Sequence, residues 1–264
     1  MYWIIWPICL VACLVGSICG LGGGVIIKPA LDLFGSMDVA QVSFLSGCTV
    51  LAMALYSVVR ARAKGTLSSE AAVDTSVAVG AVAGGLAGKQ LFSALCAAFP
   101  YPRIVGCTQA VALFAVCLFT VVYTLLKDRR DIPTHELSGW LPGALVGVGL
   151  GAISAFLGIG GGPVNIVAMT FFFAMTSKDA AQASLYIILY SQTAATVMAL
   201  FTQDLSGINP VLLAGMVAFG IAGAAAGRTI NTRLSNVMVD SLFIGLLVAI
   251  MAITVANFLG FAAM

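Results

Sequence analysis

Apolar residues in this chain come as long uninterrupted runs, not in alternation with polar ones. Charge-free stretches cover residues 1–27, 39–59, 104–126, 137–177, 180–203, 205–227 and 241–264, and an eighth, 75–102, is interrupted only by Lys89. A helix needs roughly 20 mostly apolar residues to cross the hydrocarbon core of a bilayer. The pattern therefore predicts seven or eight hydrophobic helices. A membrane β-barrel would instead show ~10-residue segments of alternating character. The fold class read from the pattern is an all-α integral membrane protein.

The polar punctuation between the runs repeats itself. Gly20-Leu21-Gly22-Gly23-Gly24-Val25-Ile26 returns 138 residues later as Gly158-Ile159-Gly160-Gly161-Gly162-Pro163-Val164. Asp38-Val39-Ala40-Gln41-Val42-Ser43 returns as Asp179-Ala180-Ala181-Gln182-Ala183-Ser184, and Gly84-Gly85-Leu86-Ala87-Gly88-Lys89 as Gly223-Ala224-Ala225-Ala226-Gly227-Arg228. Three matches in one order at nearly one offset predict two four-segment repeats, residues 1–126 and 137–264, joined by a cytoplasmic linker at 127–136. Internal repeats in a membrane protein point to transporters, whose site lies between the repeats near the midplane.

Charge bears on topology. Loops 60–64 and 127–130 hold six of the twelve Lys and Arg residues, which places both on the cytoplasmic side. The second-half counterpart of loop 60–64, residues 203–209, carries only Asp204. Equivalent loops of opposite character favour inverted halves over eight full spans in parallel halves. Inversion requires one segment per half to enter and leave on the same side. Residues 1–36 and 139–177 are each long enough for two half-helices around a glycine turn, so the first element of each repeat is expected to be Gly-interrupted or re-entrant.

The glycine runs are the candidate chemistry. Three successive glycines weaken a helix by about 1 kcal/mol each relative to alanine. Unwound backbone inside a bilayer is tolerated only where it is buried in protein or faces a watery cavity. Pro163 suits the first turn of a new helix. Residues 24–35 and 163–175 are therefore expected to be half-helices whose N-termini start at depth. Their free N–H groups would form an anion site without a fixed charge. Candidate binding residues are Gly22, Gly23, Gly24, Gly160, Gly161 and Gly162. Lys28 could add a charge, and Asn165 lies one turn into the second half-helix. Gln41 and Ser43 from segment 39–59, with Gln182, Ser184, Tyr186 and Tyr190 from 180–203, could complete an oxyanion cage. Other glycines, at 80, 84 and 88, at 143, 147 and 151, and at 223 and 227, read as close-packing helix seams. Lys89 and Arg228, just after two of those seams, read as cations at helix C-termini.

Composition narrows the classes further. The 264 residues are 61% hydrophobic and 8% charged, with mean hydropathy +1.10, which leaves hardly any room for a soluble domain. The basic residues are few and scattered, so no nucleic-acid partner is expected. The seven cysteines lie inside apolar runs and read as small buried hydrophobes. No cofactor or metal set is legible. The single His135 sits in the linker, away from any membrane-depth relay. Neither glycine run completes a dinucleotide-binding fingerprint.

The paired G-x-G-G-G elements, the A-Q-x-S stretches and the late G-x-x-x-G-[KR] resemble the TauE/SafE sulfite-exporter family of membrane permeases over nearly the whole chain. The resemblance implies transport of sulfite, sulfoacetate or other organosulfonates. The expected protein is a multi-pass exporter in a bacterial-type inner (cell) membrane, with the lipid bilayer and a small sulfur-containing anion as partners and a homodimer possible. The rival readings are an anion channel and a membrane-embedded enzyme or assembly factor. An enzyme would need an acid, base or metal set at membrane depth, and none is visible.

Overall fold

The computed structural model describes residues 2–33, 37–63, 75–99, 102–127, 137, 139–203 and 207–263. These form ten helices and, among the described residues, no strand: α1 (Tyr2–Cys19), α2 (Gly24–Leu33), α3 (Val39–Ala63), α4 (Thr75–Ala98), α5 (Pro102–Lys127), α6 (Trp140–Leu157), α7 (Gly162–Phe173), α8 (Ser177–Thr202), α9 (Pro210–Asn231) and α10 (Asn236–Ala263). Seven are long and apolar enough to cross a membrane. The expected linker, beyond Lys127, and the charged positions Lys64, Asp204 and His135 lie outside the described residues.

The two glycine runs break their segments as expected. Gly20 and Gly22 take positive φ (71° and 66°), as do Gly158, Gly160 and Gly161 (65°, 84° and 66°). That left-handed region is open to glycine and costly for residues with a Cβ. The amide of Leu21 closes back on the Gly16 carbonyl at 2.9 Å, and that of Gly158 on Ser154 at 3.1 Å, which ends α1 and α6. Pro163, in the first turn of α7, needs no amide partner there. The helices that follow have 10 and 12 residues. At 1.5 Å per residue they reach about half of a ~30 Å hydrocarbon core. Each folds back along its predecessor: Gly23 packs on Cys13, and Gly161 on Ser154.

Each matched D-x-A-Q-x-S stretch lies at a helix start, with Asp38 just before α3 and Asp179 in the first turn of α8, whose cap is Thr176. The Asp38 carboxylate accepts the Ala40 amide at 3.2 Å ahead of α3. Ahead of α8, the Thr176 hydroxyl donates to the Asp179 carboxylate at 2.6 Å and accepts its amide at 3.3 Å. Both satisfy orphan helix-start donors.

Glycine seams set how the long helices meet. Gly80, Gly84 and Gly88 on α4 lie against Ala144, Val148 and Ala152 on α6, so the two helices run parallel. On α9, Gly215 lies on Trp6, Gly223 on Leu10 and Gly227 on Leu14 of α1, again in parallel. Small residues let backbones approach closely where lipid supplies no hydrophobic drive. Helices α5 and α10 pack along each other, with Gly106 against Phe261. Helices α3 and α8 cross at the centre, where Gly47 faces Gln192 and Thr196 and where Val50 and Ile188 converge. At one end Lys127 links α5 to α10 and α8, through Asp240 (3.5 Å) and Ser177 (3.5 Å).

Lys89 differs from expectation. It is not at a helix end, because the apolar run continues through Leu91, Phe92 and Leu95 and carries α4 on to Ala98.

Candidate functional site

The two glycine turns meet each other. A Cβ added to Gly24 would stand 2.6 Å from the Ile159 carbonyl oxygen, and one added to Gly162 would overlap the Leu21 carbonyl. The contact is reciprocal, since Leu21 and Ile159 hold the same place in the two motifs. Gly22 and Gly160 in turn face one pair of side chains, Val50 and Ile188, about halfway along α3 and α8. The starts of α2 and α7 therefore converge at the centre of the helix bundle; the amides of Val25, Ile26 and Ile27 already donate to the Gly22 and Gly23 carbonyls, and that of Asn165 to the Gly161 carbonyl.

A cation stands by each turn. On the side of residues 156–158, the buried Lys28 ammonium donates to Gln109 Oε1 (2.7 Å) and Ser43 Oγ (3.2 Å), with the Asp32 carboxylate at 3.8 Å. Ser43 lies against Gly158. Gln109 Nε2 donates to the Phe156 carbonyl at 2.8 Å, capping the end of α6. Asn257 donates to the Pro29 carbonyl at 2.8 Å and ties α10 to α2. A cavity of about 20 Å³ reaches Lys28, Asp32, Gln109 and Asn257 among mostly apolar neighbours. That is room for about one water.

On the side of residues 17–20, Asn231 donates to the Ile18 carbonyl at 2.6 Å and caps the end of α1. Ser184 donates to the Gly20 carbonyl at 2.6 Å. Beside them a recess of about 60 Å³ is lined by Ser17, Ala181, Gln182, Leu185, Arg228, Asn231 and Thr232. At roughly 15 Å³ per water it takes about four waters, or a small oxyanion. Ile18 and Phe156 are matched positions 138 residues apart, so equivalent orphan carbonyls are capped by non-equivalent carboxamides.

The model of a family described as sulfite exporter TauE/SafE matches residues 5–254. The chain belongs to that family. No curated protein and no solved structure gives a match. Membership, with seven helices able to cross a membrane, makes this a multi-pass transport protein of the cell membrane, of a family that exports sulfur anions. Both glycine turns, Lys28 and Arg228 fall inside the part of the chain that matches the TauE/SafE model.

The structure brings together Gly22, Gly23, Gly24, Gly160, Gly161 and Gly162, with Lys28, Ser43 and Ser184 at their flanks. Gln182 lines the recess of Arg228, and its carboxamide oxygen has no hydrogen-bond partner among the described residues. Asn165 is fully buried with both amide atoms unpartnered among the described residues. A buried amide in that state costs about 1–3 kcal/mol. Tyr186 is drawn off to Arg62, whose Nε donates to its hydroxyl at 2.7 Å. Gln41 packs on Gly207, in the first turn of α3. Tyr190 stands on the outer face of α8. Gln109, Asn231 and Asn257 were not singled out from sequence. Gln109 and Asn257 are the sole carboxamides in their apolar runs, which is the signal that marks them.

Proposed function

We propose that this protein carries a small sulfur oxyanion, sulfite or an organosulfonate such as sulfoacetate, outward across the cell membrane. The observation that carries the reading is the reciprocal crossing of two glycine turns at the bundle centre, each flanked by a cation. The N–H groups of Gly22 to Gly24 and Gly160 to Gly162 start two half-helices whose positive dipole ends favour an anion. Lys28 adds a charge that Asp32 offsets while the site is empty. Asn165 and the α3 and α8 hydroxyls complete the shell.

The order of helices supports two inverted halves, 1–126 and 137–264. Short α2 and α7 follow α1 and α6, and three long helices complete each half. The partners exchange accordingly: α1 runs parallel to α9, as α6 does to α4. Under an inverted relation the two hairpins enter from opposite faces and rocking between halves alternates access. The turns pack on Val50 and Ile188, with separate recesses to either side. A closed centre between two recesses supports a carrier over an open pore.

Reconstituted protein should take up labelled sulfite, with competition by sulfoacetate and weaker competition by sulfate and phosphate. Flux should saturate and be stimulated by counter-flow. Unsaturable flux without counter-flow would favour a channel. No flux of any sulfur oxyanion would remove the reading.

A further inference from the structure

Two basic side chains at matched repeat positions have no carboxylate at ion-pair distance among the described residues. Lys89 is buried, at 4% exposure, and Arg228 is half-buried; neither takes part in the Lys28–Asp32 or Lys127–Asp240 ion pair. A buried cation without a counter-charge, as Lys89 is, is costly and marks a ligand path more often than a scaffold; Arg228 stands in the last turn of α9. Arg228 lines the polar recess beside the first glycine turn, together with the donors of Ser17, Asn231 and Thr232.

The sequence repeat places a second such recess around Lys89. The positions matched to Gln182, Leu185, Arg228 and Asn231 are Gln41, Phe44, Lys89 and Phe92. There an aromatic side chain stands at the cation. Phe92 is 1% exposed, Phe44 is buried, and the Lys89 ammonium stands 4.7 Å from the centroid of the Phe92 ring. A cation over a ring face is held by the ring quadrupole, which partly stands in for a missing anion.

We propose that Arg228 and Lys89 are paired anion-binding cations, one on each side of the glycine crossing. Each holds the oxygens of the sulfur oxyanion while its own side is open, and Phe92 closes the Lys89 side in the conformation described. The proposal rests on the transport reading. It adds the entry and exit subsites to the central one, and it explains why the G-x-x-x-G-[KR] motif ends in a base in both halves.

The test measures sulfite flux in proteoliposomes of uniform orientation, with the KM taken separately on each face. It is paired with the thermal shift that sulfite induces in detergent-solubilised protein. Loss of a charge-assisted hydrogen bond should raise the KM about tenfold. R228Q should do so on the face of Arg228 and leave the opposite face unchanged; K89Q should do the reverse. R228K and K89R should retain transport, which separates loss of charge from loss of fold. F92A should lower the KM on the Lys89 face. Wild-type flux with both KM values unchanged in R228Q and K89Q overturns the subsites alone. If the wild type transports nothing yet sulfite stabilises it in a manner lost in R228Q, the transport reading falls and the anion site stands. No stabilisation and no flux overturns both.

Discussion

At the scale of single residues, the centre of this protein is defined by what is missing from it. Gly160 has φ 84°, and a Cβ there would stand 3.0 Å from Val50. Gly160→Ala should lower the stability of the solubilised protein by about 1–2 kcal/mol, the cost of a left-handed residue with a Cβ. On the proposed reading, in which the anion site is built on the turn, it should also reduce sulfite flux by more than that loss explains; unchanged flux would detach the turn from transport. Asn165 gives the opposite sign. Leucine in place of its two orphaned amide atoms removes a desolvation penalty. Asn165→Leu should therefore unfold at the same or a higher temperature than wild type while sulfite flux falls. A variant that is both less stable and fully active would assign Asn165 to packing.

At the scale of elements, legibility depended on how local the cause was. The breaks after Cys19 and Leu157 could be read because three glycines in a row defeat a helix wherever they occur, and Pro163 marks the restart. The seams could be read because small-xxx-small spacing brings glycines onto one helix face. Their partners could not: that α4 lies on α6, and α1 on α9, is decided by three-dimensional fit between distant segments. For the same reason Lys89 was misplaced, since its seam said nothing of how far α4 continues beyond it. Around the candidate site, the glycine breaks and the Lys28 charge could be picked out from local sequence, whereas the capping roles of Gln109 and Asn231 depend on carbonyls 47 and 213 residues away. The seam yields its own test. A Cβ on Gly84 would overlap the Val148 carbonyl and stand 2.8 Å from the Ala152 amide, whereas one on Gly245 of α10 meets nothing within 4 Å. Gly84→Ala should destabilise the protein by about 1–3 kcal/mol through forced separation of α4 and α6. Gly245→Ala should be neutral or stabilising by up to about 1 kcal/mol. Thermal unfolding in one detergent compares the two directly.

At the scale of the whole molecule, the question is whether the halves face opposite ways. Arg60, Arg62, Lys127, Lys178, Arg228 and Arg233 gather where α3, α5 and α9 end and α8 and α10 begin, an end held together by the Lys127 contacts to Asp240 and Ser177. By the positive-inside rule that end is expected to face the cytoplasm. Helices α3 and α8 begin at the matched D-x-A-Q-x-S stretches of the sequence, yet α3 finishes at this basic end and α8 starts there. Inversion then fixes the result for two exposed positions, Ala63 at the end of α3 and Thr202 at the end of α8. In a protein whose native cysteines are replaced, Ala63→Cys should react with an impermeant maleimide only from the cytoplasmic face, and Thr202→Cys only from the opposite face. Labelling of both from a single face would mean that the repeats run parallel. The two hairpins would then approach from one side, and a central anion could no longer be passed between two half-helices that open in turn to opposite sides.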